Sequence, residues 1–328
     1  MTAFYATLTP MLTLFLCIAI GFVTVKTRIL PETAGSVLAK LETWVFVPAL
    51  NFMTMVRFCT VDTISIHAVN IIMASLGVAL AMAIAIPLAH VFTKEKRSEY
   101  GVYAYALTFA NCGYVGDPIV QTMFGDATLA YYKLFCLPLN MVIFTWGISI
   151  LTPRSAVKGG AWRRLLNAPT VAMLAGMVVG LSGLGTHLPG FLTNTLDSLK
   201  ACMGPAAMLL AGITIAKYDF FKMLKNKKVY IATALRLTVL PTVIISALFC
   251  LKLLGESLFR ISIGNDVLFL AFFAFAAPLG MNTVVFPEAY GGNPETGASM
   301  AMISHTLCVI SIPILYAVMT AIFGTPFA

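Results

Sequence analysis

Ten apolar runs, each of roughly 18–28 residues, take up nearly all of this 328-residue chain, and a run of that length crosses a bilayer as a helix. The hydrocarbon offers backbone groups no water, so every N–H and C=O must be paired within the protein, and helix is the simplest solution. The composition agrees. At 59% hydrophobic and 10% charged, the chain lies far below the roughly 25% charge of a soluble domain. It leaves no room for a sizeable soluble domain. The net charge of +8 belongs to short loops that orient membrane helices and is no sign of nucleic-acid binding. The first run begins near Phe4 and meets its first charge at Lys26. With no basic n-region before it, it reads as a spanning helix rather than a signal peptide.

The spans are expected at about 5–25, 33–56, 66–92, 100–124, 128–151, 167–185, 191–216, 229–254, 266–290 and 296–323. Basic residues fall on one side of this arrangement. Lys26, Arg28, Lys94, Lys96, Arg97, Arg154, Lys158, Arg163, Arg164, Lys217, Lys222, Lys225, Lys227 and Lys228 face in, against Arg57, Lys252 and Arg260 on the other side. The asymmetry places both termini outside. The loop near Gly291–Glu295 should face in yet carries only acids, which weigh little in this rule.

Two spans are interrupted. Asn111-Cys112-Gly113-Tyr114-Val115-Gly116-Asp117-Pro118 breaks the fourth, and Ala277-Pro278-Leu279-Gly280-Met281-Asn282-Thr283 breaks the ninth. Proline removes a backbone donor and clashes with the preceding turn, and glycine weakens a helix. Both breaks follow Phe-Ala, at Phe109-Ala110 and Phe275-Ala276, and Gly125 and Gly291 lie 16 residues beyond the two phenylalanines (125−109 and 291−275). The halves correspond elsewhere too. Pro10 and Gly21 match Pro169 and Gly180 at an offset of 159, and Pro31 and Pro48 match Pro189 and Pro205 at offsets of 158 and 157. Five spans per half is odd, so the second half runs opposite to the first. The expected fold is therefore an all-α membrane protein of ten helices, a 5+5 inverted repeat in one membrane-embedded unit over residues 1–328. Paired Gly/Pro breaks in such a repeat point to a transporter site.

The breaks hold the residues with chemistry. Asp117 is an ionisable group at membrane depth, which marks a functional site by default. It is a candidate for binding a coupling proton or cation, and equally a candidate cap for the half-helix opening at Pro118. Asn111 and Asn282 offer amides to a carboxylate, as do the free N–H groups expected at the half-helix starts. Gly113, Gly116 and Gly280 permit close approach of chain or ligand. Pro118, Pro278 and Thr283 belong to the same breaks. Arg236, about two turns into span 8, could pair with Asp117 or a substrate carboxylate, or snorkel to the headgroups. Glu42 and Lys200 read as a structural ion pair, and Lys133 as reaching the outer surface. Asn51, Asn140 and His305 could line a cavity. The seven scattered cysteines carry no CxxC or ligand spacing, so neither disulfide nor metal is expected. The motifs GxSxG, HExxH and GxxxxGK[ST] are absent, which argues against an enzyme.

The segments Leu30-Pro31-Glu32…Leu38, Val45-Phe46-Val47-Pro48-Ala49-Leu50-Asn51-Phe52, Asn111 to Pro118, Arg236-Leu237…Pro241, and Pro278 followed by Tyr290-Gly291-Gly292 resemble the auxin efflux carrier family in order and spacing. The resemblance covers essentially the whole chain. The short connection between spans 5 and 6 resembles bacterial members; plant PIN-type carriers have a long hydrophilic loop there. The resemblance implies crossing broken helices in spans 4 and 9, and a scaffold part (1–60 and 167–217) that dimerises through spans 2 and 7. It also implies a moving transport part (63–152 and 226–325). It assigns the crossover positions to Asn111, Pro118 and Pro278. Asp117 stands where an apolar residue is expected, and Glu42 is also a departure. The expected function is carriage of a small organic anion, such as malate, malonate or an auxin-like acid, across a bacterial inner membrane, without a cofactor but with coupling to H+ or Na+ open. The rival readings are a sodium- or proton-coupled symporter or exchanger of the bile-acid or cation/proton type, and a channel or sensor.

Overall fold

A computed structural model of the chain describes residues 2–31, 33–61, 64–94, 99–152, 166–217, 226–260, 263–290 and 295–327. The basic clusters at 95–98, 153–165 and 218–225, Glu32, and the Gly291–Gly292 pair lie outside the described residues. The described chain is helical almost throughout. Its α-helices are α1 (Thr2–Lys26), α2 (Ala34–Leu41), α3 (Val47–Phe58), α4 (Ile64–Phe92), α5 (Tyr100–Thr108), α6 (Asp117–Phe135), α7 (Leu137–Val142), α8 (Ile148–Leu151), α9 (Ala168–Leu181), α10 (Gly190–Ala216), α11 (Lys227–Ala234), α12 (Leu240–Phe259), α13 (Asp266–Ala276), α14 (Asn282–Tyr290) and α15 (Glu295–Phe323). Four helical stretches are long and apolar enough to cross a membrane: Ala68–Phe92, Gly190–Ala216, Lys227–Leu258 and Glu295–Phe323. A fifth forms if Cys112–Phe135 and Leu137–Leu151, bent by 45°, count as one span. Phe15–Lys26, Ala168–Leu181 and Asp266–Ala276 are shorter apolar helices.

Wide π-type turns join several of these pieces: Glu42–Phe46, Cys112–Gly116, Ile143–Gly147 and Leu235–Val239. Three of the four end two residues before a proline, at Pro48, Pro118 and Pro241. A proline ring collides with the carbonyl one turn back, and widening that turn by a residue makes room for it. Such bulges re-aim the side chains on them. Here they carry Glu42 and Arg236.

Packing follows the correspondence of the two halves. Helix α1 lies along α10, and α9 lies along α3. In span numbers these contacts are 1 with 7 and 6 with 2, which an exchange of halves maps onto each other. The α1–α10 contact is backbone-close: a methyl group on Gly21 would run into the Leu209 carbonyl, and one on Gly212 into the Ile18 carbonyl. Small residues supply this closeness, because between apolar helices in lipid the attraction is dispersion at short range. Asn51 belongs to this packing. Its side chain is buried and donates to the Pro169 carbonyl at 3.0 Å, tying α3 to α9.

Gly125, with φ of +80°, divides α6 into two limbs. Only glycine takes that backbone cheaply. The turn sends the chain back, so residues equally far from Gly125 on either side return to one level. Asp117 and Lys133 each stand eight residues from it (125−117 and 133−125).

Candidate functional site

The two breaks meet. Ala110 and Leu279 form an isolated antiparallel bridge, and the Asn111 N–H donates to the Pro278 carbonyl at 2.7 Å. Extended backbone at these points leaves polar groups that helix would have paired, and each break supplies what the other lacks. The Leu279 N–H donates to Ser304 Oγ at 3.1 Å, and Ser304 in turn donates to the Ala301 carbonyl. Tyr132 places its hydroxyl 3.1 Å from the Cys112 carbonyl and 3.2 Å from the Phe273 carbonyl, linking the first break to the last turn of α13 from α6.

Asn111 is the hub of the first break. Its Oδ1 accepts from the Tyr114 N–H at 3.2 Å, and its backbone carbonyl accepts from the N–H groups of Val115 and Gly116. Its amide lies 3.3 Å from His305 Nε2, while His305 Nδ1 lies 2.7 Å from the Ala301 carbonyl. A carbonyl only accepts, so Nδ1 carries the ring proton and Nε2 accepts from Asn111. Asn282 donates to the Tyr105 hydroxyl at 2.9 Å. Thr283, fully buried, donates to the Gly280 carbonyl, and its own N–H does the same. Gly280 lies against Tyr105 and the Ala110 carbonyl. The half-helix starts are therefore less open to an anion than the sequence implies, because Asn111, Pro278 and Gly280 already engage many of their donors.

The charged residues differ from expectation. Asp117 does not cap the half-helix. Its carboxylate pairs with Lys133, and both side chains are buried. Lys133 thus turns inward to Asp117 and does not reach the outer surface. Lys200 pairs with Asp126 at 2.5 Å rather than with Glu42, and Gln121 also donates to Asp126, at 2.9 Å. Both carboxylate oxygens of Glu42 are buried without a hydrogen-bond partner among the described residues. Arg236 does not snorkel. It is 2% exposed, its Nη1 donates to the Phe275 carbonyl at 2.6 Å, and it makes no bond to Asp117. Its Nε and Nη2 have no partner among the described residues. The Phe275 carbonyl lies at the end of α13, where a cation complements the helix dipole.

Two glycines of the first break have different surroundings. A methyl group on Gly116 would strike the Tyr132 hydroxyl, whereas one on Gly113 would meet nothing within 4 Å. Gly116→Ala is expected to cost about 1–3 kcal/mol by overpacking. Gly113→Ala is expected to leave stability nearly unchanged. Thermal unfolding of the two variants in detergent checks the contrast. Pro118 packs on α10 beside Gly204. A small recess with room for roughly one water molecule lies between α1, α10, α15 and the first break, lined by Phe15, Ile18, Val115, Met208, His305, Cys308 and Val309.

A family model described as "Membrane transport protein" matches residues 6–159 and 158–316. The chain belongs to that family. The match covers nearly the whole chain and meets itself in the basic centre between the halves. Members of the membrane transport protein family are transporters, not enzymes, and the apolar helices make this an integral membrane protein. The family also agrees with the auxin efflux carrier resemblance. No curated protein matches the chain.

Of the candidate residues, Asn111, Gly113, Gly116, Asp117, Pro118, Pro278, Gly280, Asn282 and Thr283 lie in the two breaks that the bridge joins, and Arg236 reaches their edge at Phe275. Asn51 does not, since its amide is engaged at Pro169. Tyr105, Tyr132, Lys133 and Ser304 went unsuspected. For Lys133 a signal existed: an opposite charge at equal distance from the turning glycine. For the tyrosines and the serine there was none, because their partners are backbone carbonyls and amides of distant segments.

Proposed function

We propose that the protein is a secondary carrier of small organic anions, mono- or dicarboxylates, working by alternating access around the joined breaks. The observation that carries this reading is Arg236. A guanidinium buried at the edge of the crossover, with one nitrogen fixed on a backbone carbonyl and two nitrogens unpartnered among the described residues, is poised to take a carboxylate. A buried cation without an acid is costly, and an anionic substrate relieves that cost.

On this reading the protein is a ten-helix inverted repeat, which the exchange-related helix pairs support. Residues 1–60 and 167–217 stay fixed and dimerise through spans 2 and 7, while 63–152 and 226–325 move. The short central connection favours a bacterial inner-membrane member over a plant PIN-type carrier, with both termini outside. An interior-negative potential favours export of an anion by about 2.3 kcal/mol per charge per 100 mV, so import needs coupling.

The test is uptake into proteoliposomes of labelled malate, malonate, oxalate, succinate, an aromatic acid and a neutral control, with and without proton and sodium gradients. Saturable uptake of one acid with counterflow is the expected result. Fast flux without counterflow would indicate a channel. Stimulation by sodium alone would favour the bile-acid type of symporter. No flux of any acid through folded protein removes the organic-anion reading.

A further inference from the structure

We propose that Glu42 holds the exchangeable proton of this carrier, in a buried cluster with Lys133 and Asp117; the coupling role rests on the carrier reading above. Glu42 opens the π-type turn ahead of Pro48 and has no exposed surface. Neither carboxylate oxygen has a hydrogen-bond partner among the described residues. The charges that act on it are Lys133 and Asp117, both from α6. Tyr114, from the first break, also lies within electrostatic reach. Among the described residues, the other elements packed on this turn bring no free charge to it. On α10, Lys200 is paired with Asp126 and Asp197 with Arg57 of α3. Lys40 of α2 is exposed, and α9 carries no charged residue.

The charge count then decides the state. The cluster holds two carboxylates and one ammonium, and the ammonium is bonded to Asp117. An ionised Glu42 would be a buried acceptor-only group with no donor and no counter-ion of its own. With one proton on Glu42 the cluster is neutral; without it the net charge is −1. Glu42 lies on span 2, in the part proposed to stay fixed, whereas Asp117 and Lys133 lie on the part proposed to move. Displacement of one past the other changes which carboxylate Lys133 meets. When Lys133 turns to Glu42, the O–H bond of the acid breaks, its electron pair stays on the carboxylate oxygen, and water carries the proton away, while the same displacement brings Asp117, on the moving part, to water that solvates its charge. Proton occupancy is thereby tied to the position of the moving part.

Two measurements on the full-length protein test this. Difference infrared spectra at neutral pH read the carbonyl stretch of a protonated carboxyl group without any substrate. The band is expected in the wild type, lost in Glu42→Gln, kept in Glu42→Asp, and lost in Asp117→Asn, where Lys133 becomes free to pair with Glu42. A wild type without the band, or Glu42→Gln with it, overturns the assignment. In proteoliposomes, with the acid that the uptake panel identifies, a proton gradient is expected to stimulate the wild type, while Glu42→Gln takes up the acid equally with and without the gradient. Continued stimulation of Glu42→Gln overturns the coupling role. If the wild type moves no acid, the carrier reading falls, and the infrared band alone upholds or overturns the proton on Glu42.

Discussion

Lys133→Met is expected to destabilise the protein by about 3–5 kcal/mol, the usual cost of removing one member of a buried ion pair. Asp117 is 2% exposed and takes its counter-charge from this lysine. The loss would leave an acceptor-only group in a place where no water-like solvation replaces the ammonium. The reverse variant, Asp117→Asn, is expected to be milder. Lys133 has a second carboxylate within electrostatic reach in Glu42, whereas among the described residues Asp117 has no second ammonium bonded to it. The double variant Lys133→Met/Asp117→Leu should recover most of the stability, because a well-packed apolar pair can replace a buried ion pair at little cost. Thermal unfolding of the three variants in detergent checks the order. A Lys133→Met protein as stable as the wild type would show that the pair contributes nothing in the fold.

Arg236→Met is expected to do the opposite: keep stability and lose affinity. The guanidinium is buried with a single backbone bond to Phe275, and exchanging it for an apolar side chain of similar length removes an uncompensated charge. The folded protein should unfold at the same temperature or slightly above it. Binding of the transported acid should weaken by about 2–5 kcal/mol, the range for truncating one partner of a buried charge pair, or roughly thirty- to several-thousand-fold. Arg236→Lys should fall between, since an ammonium keeps the charge but not the two-pronged donor geometry. The concentration of acid needed to raise the unfolding temperature, together with the KM for uptake, measures the effect. Should Arg236→Met lose stability and keep its affinity, the arginine would be a structural tie between span 8 and the end of α13.

Much of the architecture was legible in one dimension because the solvent is lipid. Apolar length and the positions of Gly and Pro are local properties, and lipid leaves few ways to satisfy them. Both breaks were therefore visible as residues, at Asn111–Pro118 and Ala277–Thr283. The polar partnerships were less legible. Asp117 could be singled out from its depth, yet its role as a cap or a paired acid depended on which side chain came to it. The turn at Gly125 brings Lys133, and that symmetry about a glycine is a rule that a chain reading could apply elsewhere. The same reading paired Glu42 with Lys200 by estimated depth. Depth says nothing of azimuth, and Lys200 faces Asp126.

From residue order alone, then, came a chain of membrane helices, two corresponding halves and a polar break in each, because these rest on length, period and composition. The fold in three dimensions settled three further points: the two breaks are bonded to each other at Ala110 and Leu279, Asn111 serves His305 as well as its own turn, and Arg236 lies inward without an acid partner among the described residues. Those facts depend on the rotation of each helix about its own axis. Dispersion between close-packed small residues and the pairing of buried backbone groups set that rotation, and both are properties of neighbours far apart in the chain.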